Sequence, residues 1–430
     1  MKRYRRLFLF FCLPFLGVIL YSLPPLKERV DWRLMEWRAK VQYALFPPEE
    51  VVFQPNPSAV AAVVISTSAA EKTSTLPFPT KTPILEQTAA PTATAAPTLT
   101  PTPLPAAVQL VGITYERQGW NNCGPATLAM SLSYWGWSGD QYSIAPYTKP
   151  NDRDKNVMPY EMVDYVNTQT ELRAISRLAG NVGLLKQFVA AGFPVVIEKG
   201  LEGPDFDGWM GHYELITGYD DAVSQFTAED SYMGSGLKLP YTVIESYWRA
   251  FNGTYIVVYP IDREQEVFAL LGDHANEAYN RQFAAQLALE ESTILSGRDQ
   301  FFALFNRGSS LVSLLDYAGA ASAYDQAFAL YPSLPQKERP WRMMWYQTGP
   351  YWAYYYTGRY QDVVDLATKT LDNMSEPVLE ESYYWRGLAY SALGDRQKAV
   401  EDRRMSHTVH PEFPPAIEQF RQLGVEGIQN

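Results

Sequence analysis

The stretch Gly112–Trp137, GITYERQGWNNCGPATLAMSLSYWGW, decides how the rest of the chain is read. Asn121 and Asn122 are residue types that cap helices, because a short polar side chain can accept from the unpaired N–H groups of a first turn. Behind them Ala126, Leu128, Ala129, Met130, Leu132 and Tyr134 favour helix, and Gly136 is suited to end it. Cys123 then falls on the first turn of a mostly apolar helix. There the free N–H groups and the positive end of the helix dipole favour a thiolate over a thiol. A lone thiol is either packing material or a reactive group, and one needed only for packing would sit more naturally in mid-helix.

A nucleophilic thiol needs a base and an oxyanion partner. The chain has four histidines, and between Val108 and Pro260 the one histidine is His212, in GWMGHYELITGYDD. Alternating Tyr213, Leu215 and Thr217 predict a strand with Gly211 and Gly218 at its ends and His212 at its start. Gln225–Glu229 reads as the following strand, with Asp230 near its end, where a carboxylate would face His212 across an antiparallel pair and fix its tautomer. Asp220, Asp221 and Glu214 are alternatives for that third place. Gln118, five residues before Cys123, has a side-chain amide able to donate to an oxyanion together with the Cys123 backbone N–H. Asn181 predicts a capped helix over VGLLKQFVAAG, PVVIEK a buried strand, and GTYIVVYP a last strand. Trp120, Trp135, Trp137 and Trp209 would line a groove or pack in the core.

These blocks resemble a known family. QGWNNCGPA followed by LAMSLSYWG, then GHYELITGYDD, then EDSYMG, are similar to the papain-fold cysteine peptidases related to bacteriocin leader-processing (double-glycine) peptidases, in the family's order. The resemblance spans about Val108 to Pro260. It implies an α+β papain-like fold, with a helix carrying the nucleophile packed on an antiparallel sheet. It also implies Cys123 as nucleophile, His212 as general base, Asp230 as orienting acid and Gln118 as oxyanion donor. Gln118 stands one residue closer to the cysteine than in papain-like enzymes. No G-x-x-x-x-G-K-[ST] motif occurs, so bacteriocin maturation beside an ATP-binding cassette does not carry over.

Composition bounds the remainder. A chain of 430 residues has room for two or three domains, and 47% hydrophobic residues supply cores. A formal net charge of −11 is unsuited to coating nucleic acid. The segment Ala107–Pro260 holds ten Lys and Arg against seventeen Asp and Glu, which hints at cationic partners. Two cysteines, Cys12 and Cys123, exclude a four-thiolate zinc cage and a disulfide framework. No metal or organic cofactor is implied.

The chain opens MKRYRR, followed by an apolar run from Leu7 to about Leu23. A helix of that length spans about 25 Å, near the lower limit for crossing a bilayer. The exit YSLPPLKERV has no small-x-small cleavage site, and the cations precede the span. An uncleaved anchor, N-terminus inside and the bulk of the chain extracytoplasmic, is therefore expected over residues 1–25, with a cleaved signal peptide as the alternative. Residues 26–53 have the period of an amphipathic helix that lies on the membrane interface or docks on the folded part. Residues 54–106 are a Thr/Pro/Ala-rich spacer, residues 107–260 the peptidase-like domain.

Residues 261–430 read as helical repeats. LDYAGAASAYDQAFALYP, GRYQDVVDLATKTLDN and GDRQKAVEDRRMSHTVHP align from Leu315, Gly358 and Gly394, 43 and 36 residues apart. They resemble tetratricopeptide repeats, which implies stacked helix pairs with a face for a protein partner. The aromatic run Tyr351, Trp352, Tyr354, Tyr355 and Tyr356 would pack between repeats or bind a peptide or glycan. His407 and His410 share a helix face but have no third acid near them in sequence, so a helix-end role is expected rather than a metal site. The whole reads as a membrane-anchored extracytoplasmic cysteine peptidase acting on peptide or protein. The alternative is a non-catalytic surface adaptor built on a degenerate peptidase-like fold.

Overall fold

The computed structural model describes residues 21, 24–48, 53–56, 103–203, 208–411 and 413. Apart from Tyr21, the apolar run Leu7–Leu23 lies outside the described residues, as does most of the spacer, and no described helix is long and apolar enough to cross a membrane.

The first domain is a seven-stranded antiparallel sheet flanked by helices. Its strands are β1 (Ala107–Gln109), β2 (Leu172–Arg177), β3 (Val195–Leu201), β4 (Met210–Asp220), β5 (Gln225–Asp230), β6 (Gly234–Pro240) and β7 (Tyr255–Pro260). The order is β2-β7-β3-β4-β5-β6, with β1 also pairing with β4. The predicted His212 strand is longer than expected, because β4 runs through both glycines that were to bound it. It pairs with β3 along its first half and with β5 and β1 along its second.

One core joins one face of the sheet to α2 (Cys123–Tyr134), α3 (Gln141–Thr148) and α4 (Pro159–Gln169) through Leu128, Met130, Ile144, Met162, Val196 and Leu215. A second core joins Ile197, Ile216 and Val257 to α5 (Val182–Ala190), α6 (Tyr241–Trp248) and α7 (Glu264–Leu271). Asn181 caps α5 as its residue type predicts, accepting from the Leu184 N–H at 3.0 Å. Trp209 is in the core, stacked on Phe251 at 5.7 Å.

The C-terminal part is helical: α8 (Glu277–Ile294), α9 (Gly297–Ser313), α10 (Tyr317–Leu330), the short α11 (Met343–Tyr346), α12 (Gly349–Tyr356), α13 (Tyr360–Asp372), α14 (Glu380–Ala392) and α15 (Arg396–Val409). The three aligned segments begin at the turns inside the pairs α9/α10, α12/α13 and α14/α15. Leu315, Gly358 and Gly394 all adopt positive φ, +64°, +76° and +86°. The turn needs a left-handed residue, and glycine supplies it without a Cβ clash at two of the three sites. Tyr351 and Tyr354 are fully buried between these helices, while Tyr356 is 54% exposed, so the aromatic run both packs and surfaces.

The two parts share a core in which Trp209 and Phe251 meet Phe302, Trp341 and Tyr346. Arg342 donates to the Trp209 carbonyl at 2.9 Å and Gln347 to the Ala250 carbonyl at 2.6 Å. The early helix α1 (Pro24–Leu45) docks on the helical part by its end. The Tyr43 ring meets Trp341 edge-on at 5.1 Å, and Gln42 donates to the Met374 carbonyl at 3.3 Å. Of the two roles open to this helix, docking is the one its described contacts serve.

Candidate active site

The loop before α2 is built to present its first residue. Asn121 takes φ +53°, a conformation asparagine tolerates, and turns the chain into the helix. Lys149 donates to the Asn121 carbonyl at 3.1 Å. Asn122 occupies the cap position, but its side chain does not cap. It donates instead to Gln141 Oε1 at 3.0 Å. That oxygen also accepts from the Gly119 N–H at 2.6 Å, while the Gln141 amide donates to Glu116 at 2.7 Å. A buried glutamine thus clamps the loop and leaves the first turn of α2 to its thiol.

Cys123 begins α2 and is partly exposed. His212 is the third residue of β4 and Asp230 the last of β5, and the antiparallel pairing of these strands brings them together. His212 Nε2 lies 2.9 Å from Asp230 Oδ1. The same imidazole is electrostatically coupled to the Cys123 thiol, each favouring the charged form of the other. With Nε2 engaged by the carboxylate, Nδ1 is the ring nitrogen left for another partner.

Electrostatics follow from that chain of contacts. Burial opposes a Cys123 thiolate, but the hydrogen bond and charge of His212, the Tyr213 backbone N–H and the Lys149 charge outweigh it, so the thiol lies below its ordinary value. Burial likewise opposes a charged His212. The Asp230 charge and hydrogen bond, with those of Cys123, outweigh it and push the imidazole up to about 10. Burial would raise Asp230. The His212 charge and hydrogen bond, the Lys199 charge and the Met233 N–H pull it well below the usual carboxylate range. Asp230 Oδ1 also accepts from the Tyr232 and Met233 N–H groups, each at 2.8 Å. A thiolate–imidazolium pair is the state these surroundings favour.

Gln118 is beside this group. Its Oε1 accepts from the Ser231 hydroxyl at 2.9 Å and its N–H donates to the Ser231 carbonyl at 2.9 Å, next to Asp230 in sequence. With its oxygen held, the amide NH₂ is the end left to donate.

The other acids considered for the third place are engaged elsewhere. Asp221 pairs with Lys186 at 2.7 Å, and Asp220 accepts from the Ala222 N–H at 2.9 Å. Glu214 is completely buried and pairs with Lys199 at 3.2 Å. Lys199 stands opposite His212 in the β3–β4 register. Sequence reading missed it, as well as Lys149, Ser231 and Gln141. The strand pairing was the available signal for Lys199. Tyr346, from the helical part, was also missed: it packs on Gly211, where an added Cβ would meet its ring at 2.8 Å. Glycine is required there for the helical part to approach the residue next to His212.

Residues 104–256 match the model of a Peptidase C39 like family. The segment on which the resemblance was read from sequence is thus the one the family model covers. Among solved structures, the chain is similar to a putative C39-like peptidase from Bacillus anthracis, at 19% identity over 35% of this chain and 96% of that one, TM-score 0.30. It is similar to the peptidase domain of Streptococcus ComA, a bi-functional ABC transporter involved in a quorum sensing pathway, at 14% identity over 35% and 99%, TM-score 0.29. It is also similar to xylellain, a cysteine protease from Xylella fastidiosa, at 16% identity over 37% and 88%, TM-score 0.29. No curated protein matches the chain.

Proposed function

We propose that this protein is a cysteine peptidase, anchored in a membrane by Leu7–Leu23 and working on the extracytoplasmic side, with its helical part engaging a protein partner. The observation that carries the reading is an imidazole whose Nε2 is 2.9 Å from a buried carboxylate, electrostatically coupled to a thiol on the first turn of a helix.

The chemistry follows from the roles those positions allow. The Cys123 thiolate attacks the carbonyl carbon of a peptide bond, and the new oxyanion is held by the Cys123 N–H and the Gln118 amide. The imidazolium of His212 gives its proton to the leaving amine as the C–N bond breaks. Neutral His212 then takes a proton from water, whose oxygen attacks the thioester, and the acid product leaves as sulfur departs. Asp230 holds the tautomer throughout. The helix pairs support a tetratricopeptide-like role in partner binding, and the excess of acidic over basic residues in 107–260 supports cationic substrates.

The test is hydrolysis of a peptide library by the full chain, beside labelling by a thiol-directed activity probe. Cleavage and labelling that both disappear in Cys123→Ala, with labelling strongly reduced in His212→Ala, are expected. Absence of hydrolysis and labelling by the intact chain, with partner binding preserved, would establish the adaptor reading instead.

A further inference from the structure

One cluster of ionisable side chains has no part in this chemistry. It lies where the first turn of α4 meets the start of α14 and the end of α15. Glu161, Glu380 and His410 each present a possible ligand atom there, and the three atoms lie within 4.8 Å of one another. Glu380 and His410 are 3% and 6% exposed.

Local structure accounts for part of the arrangement. Glu161 Oε2 accepts from the Met158 N–H at 2.7 Å, and His410 Nδ1 hydrogen-bonds Glu380 Oε1 at 2.9 Å. Glu380 Oε2 is buried and has no hydrogen-bond partner among the described residues. A buried carboxylate oxygen left in that state is costly. Asp154 and Glu381 are buried in the same neighbourhood. The lysines described near this cluster are engaged by other groups: Lys149 donates to the Asp154 carbonyl at 3.3 Å, and Lys155 pairs with Glu376 at 3.6 Å. A small dication would give the orphaned Glu380 oxygen a partner.

We propose that Glu161, Glu380 and His410 bind a divalent transition-metal ion of the zinc type, which fastens the peptidase region to the last helix pair. Two carboxylates and an imidazole suit zinc, whereas calcium takes 6–8 oxygen ligands. Bonds of about 2.1 Å place tetrahedral donors about 3.4 Å apart, so modest side-chain rotations convert the present spacing into a site. Metal binding replaces the His410–Glu380 hydrogen bond. It also stiffens the segment before α4, which Lys149 ties to the Asn121 carbonyl beside Cys123. Sequence reading set His410 aside because its acids are remote along the chain, one of them in the other domain.

The experiment is calorimetric titration of the purified full-length chain with Zn²⁺, and absorbance titration with Co²⁺. Cys12→Ser and Cys123→Ser are introduced so that neither thiol contributes. One equivalent of Zn²⁺ binds, Co²⁺ gives visible d–d bands without a thiolate charge-transfer band, and Ca²⁺ does not compete. Glu380→Gln keeps the side-chain shape, and with His410→Gln it weakens Zn²⁺ at least about 100-fold. The proposal is overturned if the parent chain shows no saturable binding, if Ca²⁺ displaces Zn²⁺, or if both variants bind as the parent does. Should a variant fail to fold, the parent titration and the rise of its melting temperature with Zn²⁺ decide alone. This inference does not depend on peptidase activity.

Discussion

His212 Nε2 and Asp230 Oδ1 stand 2.9 Å apart, in side chains only 2% and 1% exposed. Burying a carboxylate is unfavourable unless charge and hydrogen bonds compensate it, and here an imidazolium and two backbone N–H groups do so on one oxygen. Asp230→Asn keeps the shape and removes the charge. The imidazole then loses its orientation and much of the upward shift. Peptide turnover is expected to fall on the order of 10²–10⁴-fold, with the alkaline limb moving to lower pH. A pH–rate profile of both proteins checks this. An unchanged alkaline limb would assign Asp230 a structural role only.

The thiolate itself is measurable. Because His212 holds Cys123 below its ordinary value, the rise of its alkylation rate by a neutral reagent is expected at lower pH than for a free thiol. His212→Ala removes the largest of the influences that offset burial, so the rise moves to higher pH. The same shifts set a stability window. His212 is raised to about 10, so its contribution is complete below its ordinary 6.5 and disappears as pH rises through about 10. Asp230 is depressed, so its contribution is present above its ordinary 3.8 and lost as pH falls further. The melting-temperature gap between the parent and Asp230→Asn is therefore widest at mildly acidic pH and narrows toward both extremes.

Gln118 separates oxyanion binding from thiolate formation. Its oxygen is held by the Ser231 hydroxyl, and it is not among the groups that lower the Cys123 thiol. Gln118→Ala is expected to lower kcat by about 10²–10³-fold while leaving the alkylation rate of Cys123 within about twofold. Single-turnover kinetics beside alkylation read both quantities. Equal losses in the two would show that the loop, and not the oxyanion, had been damaged.

Much of this site was legible because its signals are local. A capping asparagine pair, an apolar helix and one histidine in a short alternating strand bracket the chemistry before any fold is known. What escaped depends on strand register and domain contact. Lys199 matters because it pairs opposite His212, and Tyr346 because Gly211 admits it. β6 escaped for another reason: GSGLKLP has little of the β-branched or aromatic content that marks strands, and pairing with β5 holds it. Asn122 was expected to cap α2, and Gln141 won its side chain instead.

The repeat alignment leads to a stability test at Leu315. This residue is 72% exposed with φ +64°, at the position where the later segments have Gly358 and Gly394. A left-handed residue with a Cβ costs roughly 1–2 kcal/mol, part of which glycine gives back through its freer unfolded chain. Leu315→Gly is expected to stabilise the chain by about 0.5–1 kcal/mol in urea unfolding. A loss of stability would mean that the leucine side chain packs in solution.

At the next aligned position the segments differ, and the difference makes a stronger test. Asp316 and Asp395 accept from the N–H groups of Gly319 and Lys398, at 2.9 and 3.2 Å, and so cap their helices. Arg359 cannot accept. Its guanidinium, 3% exposed, donates to Asp325 at 2.8 and 2.9 Å and to Asp362 at 2.8 Å, over the Tyr354 ring at 4.1 Å. The Tyr354 hydroxyl donates to the same Asp325 at 3.0 Å. Arg359→Met leaves two buried carboxylates with no guanidinium between them, and is expected to cost about 3–5 kcal/mol. Adding Asp325→Leu and Asp362→Leu removes the uncompensated charges together and is expected to recover most of that loss. Urea unfolding of the single and triple variants measures both. A triple variant as unstable as the single one would show that the helices need the ion cluster for their packing, and not merely its electrical balance.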